Sequence, residues 1–364
     1  MVNPVVDFST LRRALVVKLR NHGDVLLTSP VFSVLRSQAP QLEIDALVYD
    51  DACEMLIFHP AIAEVHTVPR KRPGLSLLAK LTKELQLLST LRARRYDLLI
   101  NLAVHPSAIW LSWFLRSRYS IAPEKNNFSS LWRRNFSHII RYPRGPHRHQ
   151  VELNLDALRC LGIFPRADEC RLVLEPGEEA KATVNGRIAA LGLRSGQFIL
   201  IHPTSRWAFK CGPAEHTAQL IEELVRNGER VVLTAAGNEP ELALVRAIRA
   251  ACRVDTVDLS GQLTLKQLAA LIGHAKLFIG VDSAPMHMAA AMGTPVVAQF
   301  GPSSEFAWGP WCVRHRVVAS DVHHCRPCRL DGCGGSKVSD CLTTLPVARV
   351  LGAARELLAD SGHV

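Results

Sequence analysis

Four clusters of residues have the types and spacing that chemistry needs. Residues 277–301 read LFIGVDSAPMHMAAAMGTPVVAQFG. A buried strand there runs into Asp282-Ser283-Ala284-Pro285, where Asp or Ser can cap a helix and Pro fits its first turn. Small residues at Ala284, Ala289, Ala290 and Ala291 let that helix pack closely and leave its amide end open. Such an end, at the carboxyl edge of a sheet, offers N–H groups and a partial positive charge to a phosphate. Asp282 repels a diphosphate, so as a ligand it suits sugar hydroxyls, while Ser283 and the following amides face phosphate. As a cap it needs no ligand at all. His287, one turn into the helix, has the same two readings, ligand or packed core histidine.

The second cluster is FILIHPTSRWAFKCGP, residues 198–213. Thr204, Ser205 and Arg206 follow a strand, and Lys210 comes four residues later. Two hydroxyls and two cations at a strand's carboxyl end match a diphosphate leaving group, because each bond strengthens as negative charge develops. The third is KLRNHGDVLLTSP, residues 18–30, where Gly23 separates the first strand from its helix without the full G-x-G-x-x-G pattern. Asp24 there either takes a proton from a sugar hydroxyl or caps the helix; the sequence leaves the two even. The fourth is Cys325-x2-Cys328-x4-Cys333-x7-Cys341, beside His323 and His324. Its spacing is compatible with a structural zinc knuckle, but the second pair is not C-x-x-C, and free thiols are the competing reading. Thiolates would close the metal's coordination sphere, so no catalytic metal is assigned.

The elements that must position these residues alternate between strand and helix. Residues 14–19, 44–49, 65–68 and 98–102 read as strands, 25–37, 75–94 and 151–161 as helices, and 119–150 as loop. After a connection over 165–197 the pattern restarts, with strands at 198–202, 230–235, 277–281 and 296–300 and helices at 214–227, 239–251 and 265–274. This implies an α/β fold of two doubly wound, Rossmann-like domains facing across a cleft, with parallel sheets covered on both faces. The expected domains are 1–180 and 181–345, and a final helix in 346–364 is expected to pack back on the first domain.

The chain has 364 residues, 48% of them hydrophobic, and a formal charge of +10. Residues 1–150 hold 21 Lys and Arg against 11 Asp and Glu, and the remainder holds 22 against 22. The excess in the first half, in clusters such as Arg70-Lys71-Arg72 and Arg92-Arg94-Arg95, implies either an anionic partner or a solvated basic face. No reading motif or aromatic-basic interleaving supports nucleic acid. No apolar run reaches membrane-spanning length and the start lacks a signal peptide, so a cytoplasmic protein is expected. Ten cysteines in such a chain argue against a disulfide framework.

Together the motifs resemble the heptosyltransferases of lipopolysaccharide core assembly, inverting enzymes of GT-B fold in glycosyltransferase family 9. RNHGDVLLTSPVFSVLR is similar to the family's opening motif, YDLLINL to its fourth strand, and GVDSAPMHMAAAMGTPVVAQFG to its donor motif. RNHGDVLLTSP and HPTSRWAFKCG look most like the third heptosyltransferase. The resemblance implies ADP-L-glycero-β-D-manno-heptose as donor, an anionic inner-core heptose as acceptor, and no essential cofactor or obligate protein partner. It implies Asp24 as catalytic base and Arg20, His22 and Gly23 on the acceptor side. Thr204, Ser205, Arg206 and Lys210 would hold the diphosphate, Asp282, Ser283, Ala284, Pro285 and His287 the donor heptose and phosphates, and Glu239 the ribose, unless the match slips by two to Glu241. Ser283-Ala284 departs from the family's usual Thr-Gly. Anionic headgroups would keep the enzyme at the cytoplasmic face of the inner membrane. The alternatives are the first or second heptosyltransferase, another family member, or a sugar-nucleotide epimerase of similar fold.

Overall fold

Each half of the chain builds one six-stranded parallel sheet. The computed structural model describes residues 6–70, 77–102, 107–124, 134–142 and 148–359. They divide into two compact units, Met1–Val173 and Leu174–Val364. The first contains β1 (Arg13–Lys18), α1 (His22–Leu26), α2 (Ser29–Gln38), β2 (Glu43–Tyr49), β3 (Glu64–Val68), α3 (Leu77–Ala93), β4 (Leu98–Asn101), α4 (Ser107–Leu115), β5 (Tyr119–Pro123), β6 (His138–Ile140) and α5 (Gln150–Arg159). The second contains α6 (Glu178–Ala190), β7 (Phe198–His202), α7 (Ala214–Arg226), β8 (Arg230–Leu233), α8 (Glu239–Ala251), β9 (Val257–Asp258), α9 (Leu265–His274), β10 (Leu277–Val281), α10 (Ala284–Ala291), β11 (Val296–Phe300), α11 (Glu305–Trp308), β12 (His315–Ala319), α12 (Asp340–Thr343) and α13 (Val347–Ala359).

Strand order is β3-β2-β1-β4-β5-β6 in the first sheet and β12-β11-β10-β7-β8-β9 in the second. Relative to its own first strand, each sheet has the doubly wound order of a dinucleotide fold. The chain changes direction between β1 and β4, and again between β7 and β10, so a crevice opens beyond the carboxyl ends of each of those pairs. The central strands β7 and β10 are buried along their whole length, which is why they read as unbroken apolar runs rather than alternating ones.

Two expectations need correction. The helix expected over 25–37 is two, α1 and α2. Pro30 has no N–H to continue a helix and takes an opening position of α2, while the Thr28 hydroxyl bonds the Val25 carbonyl at 2.6 Å. The span 119–150 is not simply loop, because β5 and β6 extend the sheet to its edge; 125–133 and 143–147 lie outside the described residues. The second unit, from Leu174 on, includes the connecting segment and α6, which packs on α9. Within the second unit α13 joins the core: Val350, Leu351, Ala353, Ala354 and Leu357 pack with Ile199, Ile221, Leu233 and Val318. Its apolar stripe is thereby used on the second sheet, and Arg314 fixes it by donating to the Leu357 carbonyl at 2.7 Å.

Part of the basic excess is structural. Arg94 bonds Asp45 through Nε at 2.9 Å and Glu43 through Nη2 at 2.6 Å. Arg70 pairs with Asp51 at 2.7 Å and lies over the Tyr49 ring; Lys71 and Arg72 lie outside the described residues.

Candidate functional site

The crevice of the second sheet collects residues from four segments. Asp282 leaves the end of β10 and is 5% exposed. Lys210, ending a single 3-10 turn (Ala208–Lys210), reaches it with Nζ 2.5 Å from Oδ2. That turn is pinned where the Ser339 hydroxyl donates to the Phe209 carbonyl at 2.6 Å. Ser283 is the N-cap of α10, but its side chain makes no cap bond. Its buried Oγ has no hydrogen-bond partner among the described residues, and the same holds for Ser303 and Ser304 just past β11. A buried hydroxyl without a partner is destabilised by about 1–3 kcal/mol. Three such groups beyond adjacent strands therefore point to a polar ligand. His287 is buried within α10 beside Met286 and Met288.

Thr204 is held from both sides. Its hydroxyl donates to Glu241 Oε2 at 2.6 Å, and its oxygen lies 3.2 Å from His202 Nε2, whose Nδ1 lies 3.0 Å from Thr234 Oγ1. With the Thr204 proton directed at Glu241, the His202 Nε2–H donates to Thr204 and Nδ1 accepts from Thr234. Burial pulls the His202 pKa down to about 4, against the opposing charge of Glu241, so the imidazole is neutral at pH 7. Glu241 also accepts from the Ala236 amide at 3.2 Å and from Asn238 Nδ2 at 2.8 Å. Glu239, two residues earlier, is exposed and ion-paired with Arg246. Glu241 rather than Glu239 turns back onto the Thr204 loop, because with Asn238 as N-cap it is the third helical residue. Ser205 Oγ accepts from the Trp207 amide at 3.3 Å, and Arg206 is exposed.

The neutral state of His202 has a stability consequence. Between pH 6.5 and about 4 the unfolded imidazole binds a proton that the folded one refuses, so the unfolded state gains as pH falls. The melting temperature is expected to drop across that window by less in His202→Gln than in the parent. Parallel pH–melting curves would refute this assignment.

The crevice of the first sheet holds another group of candidate residues. Asp24 lies in the first turn of α1, after Arg20, Asn21, His22 and Gly23, and is half-buried. The N-cap is Asn21, so Asp24 does not cap α1, and no hydrogen bond among the described residues occupies its carboxylate. Beneath it at the end of β1 lies Lys18, 3% exposed, donating to the Leu102 carbonyl at 3.1 Å and to Asn154 Oδ1 at 3.0 Å. Asn154 in turn donates to the Leu27 carbonyl at 2.8 Å, so α5 ties together the ends of β1 and α1. Burial lowers the Lys18 pKa to about 8, opposed by attraction to Asp24.

Cys325, Cys328, Cys333 and Cys341 form no disulfide, and burial raises the Cys341 thiol pKa, with the nearby Cys333, Cys328 and Cys325 acting in the same direction against Arg326. Among the described residues, the trio of metal-ligating groups within 4.8 Å of one another is Asp45, Glu64 and His66, at the amino-terminal edge of the first sheet where Arg94 already bonds Asp45. In the cysteine segment Arg326 Nε donates to the Gly301 carbonyl at 2.7 Å and the Cys333 amide to the Val338 carbonyl at 2.7 Å.

Residues 85–338 match the sequence model of the family described as Glycosyltransferase family 9 (heptosyltransferase). The chain belongs to glycosyltransferase family 9. This family 9 glycosyltransferase is 33% identical over 344 residues to lipopolysaccharide heptosyltransferase 3 of Escherichia coli K12, covering 94% of this chain and 97% of that one. The solved family 9 glycosyl transferase of Veillonella parvula superposes with a TM-score of 0.81 at 24% identity, covering 96% and 97% of the two chains. An E. coli heptosyltransferase solved with ADP superposes at 0.72 and 19%, covering 95% and 99%. Both share its GT-B architecture.

Several residues of this family 9 site escaped the sequence reading. His202 and Lys18 lay within expected strands and Asn154 within an expected helix, with nothing in the pattern to single them out. Ser303 and Ser304 had a signal available, since they follow a buried strand through Gly301-Pro302, the same placement that singled out Ser283.

Proposed function

We propose that this glycosyltransferase moves L-glycero-D-manno-heptose from ADP-heptose to a heptose of the lipopolysaccharide inner core, inverting the anomeric centre in one displacement. The observation that carries the reading is the Lys210–Asp282 pair beside the buried, partnerless hydroxyls of Ser283, Ser303 and Ser304. It stands in a chain similar along nearly its whole length to a heptosyltransferase 3.

Lys210, with Thr204, Ser205 and Arg206, takes the diphosphate, and its cation stabilises the charge that grows as ADP leaves. Asp282 accepts from sugar hydroxyls, and Ser283, Ala284, Pro285 and His287 line the donor sugar and phosphates. Glu241 orients Thr204 and replaces Glu239 as the ribose-facing carboxylate. Asp24 removes the acceptor proton as that oxygen attacks the anomeric carbon, and ADP departs from the opposite face. Arg20 and His22 meet the acceptor's anionic groups, with the Gly23 backbone beside them. No helix among the described residues is long and apolar enough to cross a membrane, so a lipid-linked acceptor is reached from the cytoplasmic surface of the bilayer.

Purified protein with ADP-heptose and a truncated core oligosaccharide is expected to add one heptose mass to the oligosaccharide for each ADP released. ADP release with no mass gain on any core acceptor would remove transfer and leave an epimerase or hydrolase.

A further inference from the structure

We propose that α4 and the arginine cleft beside it form a docking face for an anionic lipid bilayer, with Trp110 and Trp113 at headgroup level and Arg116 and Arg134 on lipid phosphates. The two tryptophans are three residues apart and so share one helix face. They are 66% and 48% exposed, with rings edge to face at 5.3 Å and 85°. The other side of α4 is already used, since Leu111 and Leu115 are buried in the unit's core. Indole rings left in water on one helix face are characteristic of groups that sit at the membrane–water boundary, apolar body inward and N–H outward.

Next to Trp113 is a cleft of about 560 Å³ lined by Arg116, Ser117, Ser120, Arg134 and Asn135. Neither arginine has an acidic partner among the described residues, and the Ser117 Oγ is buried without a hydrogen bond. Residues 98–123 and 134–142 contain no Asp or Glu. Arg92 extends the cationic surface, lying over the Phe114 ring at 5.1 Å. Arg116 has φ of 50° just past the end of α4, the left-handed position where Gly is usual and a longer side chain is strained.

The chemistry selects a bilayer over other occupants. A two-fold contact with a second copy would set Arg116 and Arg134 against themselves. The edge-to-face rings offer no pair of parallel faces for stacking bases. The cleft lies at the amino-terminal ends of β5 and β6, the opposite edge of the sheet from Asp24, so this face can be altered without touching the proposed site. The inference rests on the proposed function for its purpose, reaching a lipid-linked acceptor, and its test does not need that function.

The full chain is mixed with vesicles of phosphatidylcholine alone or with phosphatidylglycerol, at physiological salt, and bound protein is separated by flotation. Binding is expected only to the anionic vesicles. Arg116→Gln with Arg134→Gln should lower it roughly thirtyfold, and Trp110→Ser with Trp113→Ser roughly tenfold. In the parent, brominated acyl chains should quench tryptophan emission, and that quenching should disappear in Trp110→Phe with Trp113→Phe. Transfer to a soluble, delipidated core oligosaccharide, measured in parallel, should be unchanged in every variant, and its absence in the parent would count against the proposed function alone. Absent or charge-independent vesicle binding, variants that bind like the parent, displacement by single-stranded DNA, or a dimer lost on replacing the tryptophans would each overturn the docking face.

Discussion

Replacing Asp24 with Asn is expected to lower turnover by about a hundred- to ten-thousandfold, the range over which a positioned general base acts, with ADP binding unchanged. The expectation follows from what surrounds the carboxylate. It is half-buried in the first turn of α1, takes no part in capping that helix, and has no hydrogen bond among the described residues to hold its lone pairs. Below it the Lys18 ammonium is clamped by Leu102 and Asn154, on the latter of which the Leu27 carbonyl also depends. The base therefore stands on a rigid floor while its own oxygens stay open to substrate. Asn has nearly the same shape but cannot accept a proton, so a loss of turnover at constant ADP affinity reports chemistry and not folding. Near-normal turnover in Asp24→Asn would reduce the residue to a helix-dipole partner.

The second large effect is expected at Lys210. Its removal leaves Asp282 as a nearly buried carboxylate without its cation, which typically destabilises by about 3–5 kcal/mol. It also withdraws a positive charge from the leaving diphosphate, an effect of about a hundred- to a thousandfold in kcat. The two consequences separate in a double substitution. Lys210→Met alone should lose both stability and turnover. Lys210→Met with Asp282→Asn should regain much of the melting temperature, because no unpaired charge remains, yet stay as slow as the single variant. Recovery of turnover in the double variant would show that Lys210 serves only to neutralise Asp282.

Much of this was legible in the sequence because buried parallel strands have a plain signature. ALVV before Lys18, FILI before His202 and LFIGV before Asp282 are continuous apolar runs, and the residues following them had to lie at the carboxyl edge. β5, β6 and β9 lacked that signature. β6 and β9 are edge strands of three and two residues that bury too little to impose a pattern, and β5, though buried, reads YSIAP, too short and mixed to stand out as an apolar run. Asp24, Lys210 and Asp282 were singled out by their position after a strand. The pairing of Lys210 with Asp282 was not, since it joins segments 72 residues apart. Glu239 and Glu241 both open α8, and only the helical phase set by Asn238 decides which one turns inward. The cysteine spacing left zinc knuckle and free thiols both open, because spacing along a loop does not fix distances between thiols.

The position of α13 bears on how the molecule is made. Five side chains of that last helix complete the core beneath β7, β8 and β12, whereas the first unit closes its own sheet by Val173. On the ribosome the first unit can therefore fold while the second is still being synthesised, as domains emerging early generally do. The second unit must wait, with β7, β8 and β10 already formed as sequence but uncovered on one face, until residues 347–359 leave the exit tunnel. Nascent chains stalled before that point would expose the apolar face of the second sheet and be the form most in need of a chaperone.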